Sequence, residues 1–120
     1  MSKTVLVVDD SPSVRQVVSM VLKASGHKVT EAGNGIEGLE KLQGNKFNLI
    51  VCDVNMPEMD GLTFVEHARQ LESCKFTPIL MLTTETKDEM RERAKAMGVR
   101  AWLVKPFQPQ VLLSAIAKLA

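Results

Sequence analysis

Apolar residues follow two alternating rhythms along this chain. Unbroken runs at Thr4–Val8, Leu49–Cys52, Ile79–Leu82 and Ala101–Val104 are separated by longer stretches in which apolar positions recur every three or four residues. The unbroken runs predict short strands buried on both faces, and the wider spacing predicts amphipathic helices that cover them. A fifth strand, His27–Ala32, is more polar and suits a sheet edge. Ser11 can cap a helix with Pro12 in its first turn, with Val14, Val17, Val18, Val21 and Leu22 on one stripe and Gly26 as its stop. Asn34-Gly35 is compatible with a hairpin turn, but Ile36, Leu39 and Leu42 recur at helical spacing and Glu37 stands four before Lys41, so a helix is expected. Gly38 weakens that helix by about 1 kcal/mol relative to alanine.

Asp60 can cap a third helix with Phe64, Val65, Ala68 and Leu71 inward and His67 in solvent. Thr86-Lys87-Asp88-Glu89 has the capping-box pattern and opens a fourth, whose apolar seam is only Met90, Ala94 and Met97 before Gly98. Pro109 begins the last helix, with Val111, Leu112, Ala115, Ile116 and Leu119 inward. Strands alternating with helices predict a doubly wound α/β fold with a five-stranded parallel sheet and five helices.

At 120 residues the chain is sized for one domain, expected to span 1–120 with no linker, no repeat and no output domain. Fifteen basic and fourteen acidic residues are interspersed, giving a formal charge of +1 and no basic stripe for a nucleic acid. Cys52 and Cys74 form no C-x-x-C pair, and Cys52 lies in an apolar run as an inert thiol. The first strand leaves no room for a signal peptide and no apolar run approaches membrane-spanning length, so a cytoplasmic, membrane-free protein is expected.

The chemistry gathers at strand ends. Val5–Val8 ends in Asp9-Asp10, Leu49–Cys52 in Asp53, Ile79–Leu82 in Thr83-Thr84, and Ala101–Val104 in Lys105-Pro106. Parallel neighbouring strands would bring three carboxylates, a hydroxyl and an ammonium to the carboxyl edge of the sheet, where such folds place their ligands. Each feature alone has a plainer reading: an Asp pair caps a helix, a strand-end Thr is satisfied locally, and a strand-end Lys is solvated. Together they favour a site. Crowded carboxylates with no His or Cys among them fit Mg²⁺. Asp53 could then act as a nucleophile toward phosphorus, with Lys105 and Thr83 holding phosphoryl oxygens.

Val7-Val8-Asp9-Asp10-Ser11, the stretch Asp53-Val54-Asn55-Met56-Pro57-Glu58-Met59-Asp60-Gly61, Thr83-Thr84 and Lys105-Pro106-Phe107 resemble the receiver domain of two-component response regulators. The resemblance spans the whole chain, and with no output domain it is to the stand-alone chemotaxis type. It implies a flavodoxin-like strand order of 2-1-3-4-5. It also implies that Asp53 is the phosphoacceptor, that Asp10, Asp53 and the Asn55 backbone carbonyl ligate Mg²⁺, and that Asp9 assists through water. Thr83 and Lys105 would bind the phosphoryl group, and Lys105-Pro106 would be a cis peptide. Thr83 and Trp102 would form the switch, and Asn55 and Glu85 would tune dephosphorylation. A histidine kinase or phosphotransfer domain would be the phosphodonor. The output would be a target protein bound by a monomer at the face of the fourth helix, fifth strand and fifth helix, in chemotaxis or motility. Beyond self-phosphorylation and self-dephosphorylation on Asp53, no enzymatic activity is expected.

Two other readings use the same residues. An aspartate-nucleophile phosphohydrolase normally needs an acid-base Asp two residues after its nucleophile, where this chain has Asn55. A phosphorylation-independent interaction module would have no need of an intact set of phosphotransfer residues.

Overall fold

The computed structural model describes residues 3–119. Its elements alternate as β1 (Thr4–Val8), α1 (Pro12–Ala24), β2 (Lys28–Ala32), α2 (Gly35–Leu42), β3 (Leu49–Cys52), α3 (Gly61–Ala68), β4 (Ile79–Thr83), α4 (Asp88–Ala96), β5 (Ala101–Val104) and α5 (Pro109–Leu119), with a 3₁₀ turn at Glu72–Cys74. All strand pairs are parallel and the sheet order is β2-β1-β3-β4-β5. The relatively polar β2 is an edge strand: it pairs with β1 alone, and only Ala32 in it is fully buried.

Side-chain alternation divides the core between the two faces of the sheet. Leu6, Val8, Ile50, Cys52, Ile79 and Met81 pack with Phe64, Val65 and Ala68 of α3, Leu42 of α2 and Ala94 of α4. Val5, Val7, Leu49, Val51, Leu80 and Leu82 pack with Val18 and Leu22 of α1 and Leu112 and Ile116 of α5. Gly38, unfavourable for helix formation, has a packing reason: a Cβ there would lie 2.8 Å from Phe64 Cε1 and 3.2 Å from Val8 Cγ2. Among the described residues no helix is long and apolar enough to cross a membrane.

Three expectations about the helices need correction. Val17, Ile36 and Val111 fall on the apolar stripes yet are 44%, 45% and 47% exposed, because each lies on the margin of a stripe wider than its contact with the sheet. Leu71 lies beyond the end of α3 and is only partly buried. The capping box at Thr86 does not form. Helix α4 begins after Lys87, which makes no side-chain cap, because the Glu85 carboxylate accepts from the N–H groups of Thr86 and Lys87 at 3.2 and 3.1 Å.

Candidate functional site

Strands β1 and β3 are neighbours with Val8 opposite Cys52, so the next residues, Asp9 and Asp53, emerge side by side. The Asp53 N–H donates to the Val8 carbonyl at 3.0 Å, and the Asp9 N–H donates to the Ala32 carbonyl at 3.1 Å. Asp9 and Asp53 are 3% and 6% exposed, while Asp10 is exposed. Each offers a carboxylate oxygen within 4.8 Å of the others. Beyond β5, the Lys105 N–H donates to the Thr83 carbonyl at 2.9 Å. The Lys105 ammonium then reaches Asp9 Oδ2 at 2.7 Å and Asp53 Oδ2 at 3.1 Å. The Lys105–Pro106 peptide is cis.

The loop after β3 is pressed against the phosphoacceptor candidate. The Asn55 N–H donates to Asp53 Oδ1 at 3.3 Å, and the Gly61 N–H to the Val54 carbonyl at 2.7 Å. A Cβ at Gly61 would stand 1.9 Å from the Asp53 carbonyl oxygen, so only glycine lets α3 begin there. Asp60 caps that helix, accepting from the Thr63 N–H at 2.8 Å.

One ammonium among three carboxylates leaves two negative charges uncompensated. Burial raises the Asp9 carboxyl above its ordinary value, against the opposing hydrogen bonds from Lys105 and the Ser11 N–H. Burial alone would depress Lys105, but hydrogen bonds and charge from Asp9 and Asp53 outweigh it and hold the ammonium above its ordinary value. Burial, reinforced by Asp53 and Asp9, pushes the Cys52 thiol well up, so it stays protonated and offers a poor metal ligand. An oxygen-only donor set with surplus negative charge fits a hard divalent cation.

Thr83 and Trp102 share the sheet face covered by α3 and α4. Thr83 is fully buried and its hydroxyl accepts from the Glu85 N–H at 3.1 Å. The Trp102 indole N–H donates to the Glu85 carbonyl at 3.1 Å, and the Arg91 guanidinium lies 5.9 Å from the ring centroid. The peptide groups of Glu85 therefore link the Thr83 hydroxyl to the indole. The Glu85 carboxylate is engaged with its own loop, and Asn55 is exposed.

Residues 5–117 match the response regulator receiver domain family. The chain belongs to that family. It is 44% identical over 110 residues to the chemotaxis protein CheY1 of Helicobacter pylori, covering 89% of this chain and 88% of that protein. Among solved structures, chemotaxis protein CheY4 of Vibrio cholerae is 48% identical over 100% of both chains, with a TM-score of 0.95. The receiver domain of the sensor histidine kinase PA1611 of Pseudomonas aeruginosa, which has a magnesium ion coordinated in its active site cleft, is 25% identical. It covers 99% of this chain and 98% of its own, with a TM-score of 0.90.

Sequence reasoning missed three contacts, two at this site and one at the opposite, amino edge of the sheet. They are the indole bond to Glu85, a guanidinium from Arg15 on the Asp9 carbonyl at 2.6 Å, and Arg69. Arg69 donates to the carbonyls of Met97, Cys74, Thr77 and Gly98 at 2.9, 2.9, 2.7 and 3.2 Å. In each the acceptor is a backbone carbonyl, which every residue carries, so no residue pair in the sequence could signal it.

Proposed function

We propose that this receiver domain is a phosphorylation-activated signalling switch, with Asp53 as phosphoacceptor and a histidine kinase or phosphotransfer domain as donor. The observation that carries this reading is the Lys105 ammonium bridging Asp9 and Asp53 where three carboxylates converge. An Asp53 carboxylate oxygen attacks phosphorus as the bond to the donor imidazole nitrogen breaks. The donor imidazole, protonated on its other ring nitrogen, leaves with that electron pair and is released as neutral histidine. Lys105 shifts from pairing with Asp53 to holding a phosphoryl oxygen, and the Thr83 hydroxyl holds another.

Asp10, Asp53 and the Asn55 backbone carbonyl would hold Mg²⁺, with Asp9 assisting through water. The ion, when bound, neutralises charge on the transferring group. The uncompensated negative charge, the oxygen-only donors and the magnesium-bound Pseudomonas relative support this assignment. Asn55 and Glu85 tune phosphate loss by flanking the path of the attacking water. The output is a changed affinity for a target protein at the face of α4, β5 and α5, with Thr83 and Trp102 as the switch. The chemotaxis proteins among its relatives support a role in motility, and the chain acts as a cytoplasmic monomer.

The test is intact-mass and peptide mass spectrometry after incubation with a small acyl phosphate, with Mg²⁺ or with a chelator. One phosphoryl group on Asp53, dependent on the divalent ion and absent in Asp53→Asn, is the expected result. Phosphate on another residue, or transfer undiminished in Asp53→Asn, overturns the assignment.

A further inference from the structure

Asp10 differs from its two partners: it is exposed, and among the described residues no hydrogen bond or ion pair holds its carboxylate, whereas Asp9 and Asp53 are tied to Lys105. Its direction is set through the backbone, by the peptide joining Asp9 to Asp10. That peptide is gripped. Its carbonyl, on Asp9, accepts from Arg15 Nη1 at 2.6 Å, and the preceding peptide is fixed by the Asp9 N–H, which donates to the Ala32 carbonyl at 3.1 Å.

The guanidinium is itself held in place. Arg15 Nε pairs with Glu31 Oε1 at 3.3 Å, and the other oxygen of Glu31 accepts from the Ser19 hydroxyl at 3.0 Å. Arg15 and Ser19 are one turn apart on α1, and Glu31 projects from β2 onto the same sheet face as Val7, its register partner. Ser19 is 3% exposed, an unusual depth for a helix serine without such a partner. A lone ion pair this close to solvent contributes little to stability. A planar fork whose donors are divided between a fixed carboxylate and a site carbonyl instead imposes geometry.

We propose that Arg15, held by Glu31 and Ser19, is a positioning residue for the metal site: it fixes the Asp9–Asp10 peptide and thereby aims the Asp10 carboxylate at the cation. The inference rests on the reading that Asp10 ligates a divalent ion. Positioning and simple charge make opposite demands. The positive charge of Arg15 repels a cation, so removing it would tighten Mg²⁺ binding if charge were all that mattered. Loss of positioning weakens binding.

The experiment is isothermal titration of the full chain with Mg²⁺, for wild type, Arg15→Gln, Arg15→Lys and Asp10→Ala, with thermal unfolding in chelator to verify each fold. Removal of an outer-shell partner of this kind weakens metal affinity about ten-fold, and that loss is expected in Arg15→Gln. Arg15→Lys keeps the charge but cannot hold Glu31 and the carbonyl together, so it too binds more weakly than wild type, and it carries the test should the glutamine variant fail to fold. In phosphorylation by acetyl phosphate, the Mg²⁺ concentration for half-maximal rate rises in both variants, while the rate at saturating Mg²⁺ stays within about two-fold of wild type. Unchanged or tighter Mg²⁺ binding in Arg15→Gln, or wild-type binding in Arg15→Lys, overturns the positioning role and leaves the metal assignment standing. Wild-type affinity in Asp10→Ala overturns the metal assignment and this inference with it.

Discussion

The corner where β1 and β3 end and the corner where β4 and β5 end share Lys105 but are held on different terms. Around the first, α1, α2 and α3 each open on a side-chain cap: Ser11 accepts from Val14 at 3.4 Å, Asn34 from Glu37 at 2.8 Å and Asp60 from Thr63 at 2.8 Å. Helix α3 buries Gly61, Leu62, Phe64, Val65 and Ala68. Beside the second corner, α4 opens on an uncapped Lys87 and buries Ala94 alone. Arg69 pins its C-terminal end through the carbonyls of Met97 and Gly98. Its N-terminal end is approached by the Arg91–Trp102 stack and by the Trp102–Glu85 bond on the preceding loop. Groups that transfer phosphate must stand ready in position, and an element that reports the transfer must be cheap to move. Under the proposed function, the molecule would separate these demands into adjacent corners.

The strongest way to break the comparison is to crowd the rigid corner. Gly61→Ala places a methyl on the Asp53 carbonyl, and such overpacking against backbone should cost about 3 kcal/mol or more. Urea unfolding measures it. A loss below about 1 kcal/mol would show that the acid corner gives way as readily as α4, and the contrast between the corners would be lost.

The converse experiment stiffens the loose corner. Lys87 has the extended backbone of an N-cap, at φ −67° and ψ 131°, so Lys87→Ser supplies the missing acceptor and should stabilise the protein by about 1 kcal/mol. The variant should still be phosphorylated on Asp53, because the acid corner is untouched, but should bind its target with a smaller difference between phosphorylated and unphosphorylated forms. An undiminished difference would relieve the N-terminus of α4 of any part in the output.

These corners were legible in the sequence to different degrees, for a physical reason. Ser11 and Asp60 announced their helices because a short polar side chain before an apolar stripe has one obvious use, whereas Asn34-Gly35 also suits a hairpin turn and its helix is legible from Ile36, Leu39 and Leu42. The acid cluster followed from apolar strands ending in charged residues. Thr86 misled because Glu85, one residue earlier, takes the N–H groups of Thr86 and Lys87 instead. The thin seam of Met90, Ala94 and Met97 did anticipate a lightly held α4, in which Ala94 alone is fully buried. Arg15 and Arg69 escaped notice because side-chain spacing does not encode their carbonyl partners.

A smaller effect distinguishes the corners by charge. Burial holds Asp9 above its ordinary carboxyl value of 3.8, so the folded chain keeps that proton more readily than the unfolded one. Stability from this group therefore falls as pH rises through the interval just above 3.8, and the charged carboxylate burdens the metal-free fold at every higher pH. Without divalent ions, Asp9→Asn should melt a few degrees above wild type at neutral pH, with the gap closing toward about pH 4. Added Mg²⁺ should narrow or reverse the gap, because it stabilises the chain that binds it more tightly. A gap that persists unchanged at low pH would mean that packing, and not charge, separates the two proteins.

The finest test asks whether the loose corner follows the rigid one. Trp102 is the only tryptophan and the chain has no tyrosine, so intrinsic fluorescence reports this one position. The indole is half-buried and bonded to the Glu85 carbonyl, and the N–H of Glu85 is bonded to the Thr83 hydroxyl. A phosphoryl group that draws the Thr83 hydroxyl toward Asp53 disturbs the Glu85 peptide and, through it, the indole. The change biases an existing equilibrium, and its size is limited by the preference of the phosphoryl group for one conformation over the other. Mg²⁺ with beryllofluoride should shift the Trp102 emission and reduce acrylamide quenching as the indole moves toward the space beside Thr83. Thr83→Ala should weaken both responses, and Lys87→Ser should reduce them by resisting the movement of α4. If emission and quenching stay constant while NMR shows the mimic bound at Asp53, the Thr83–Glu85–Trp102 connection does not carry the signal, and the readout must leave the acid corner by another route.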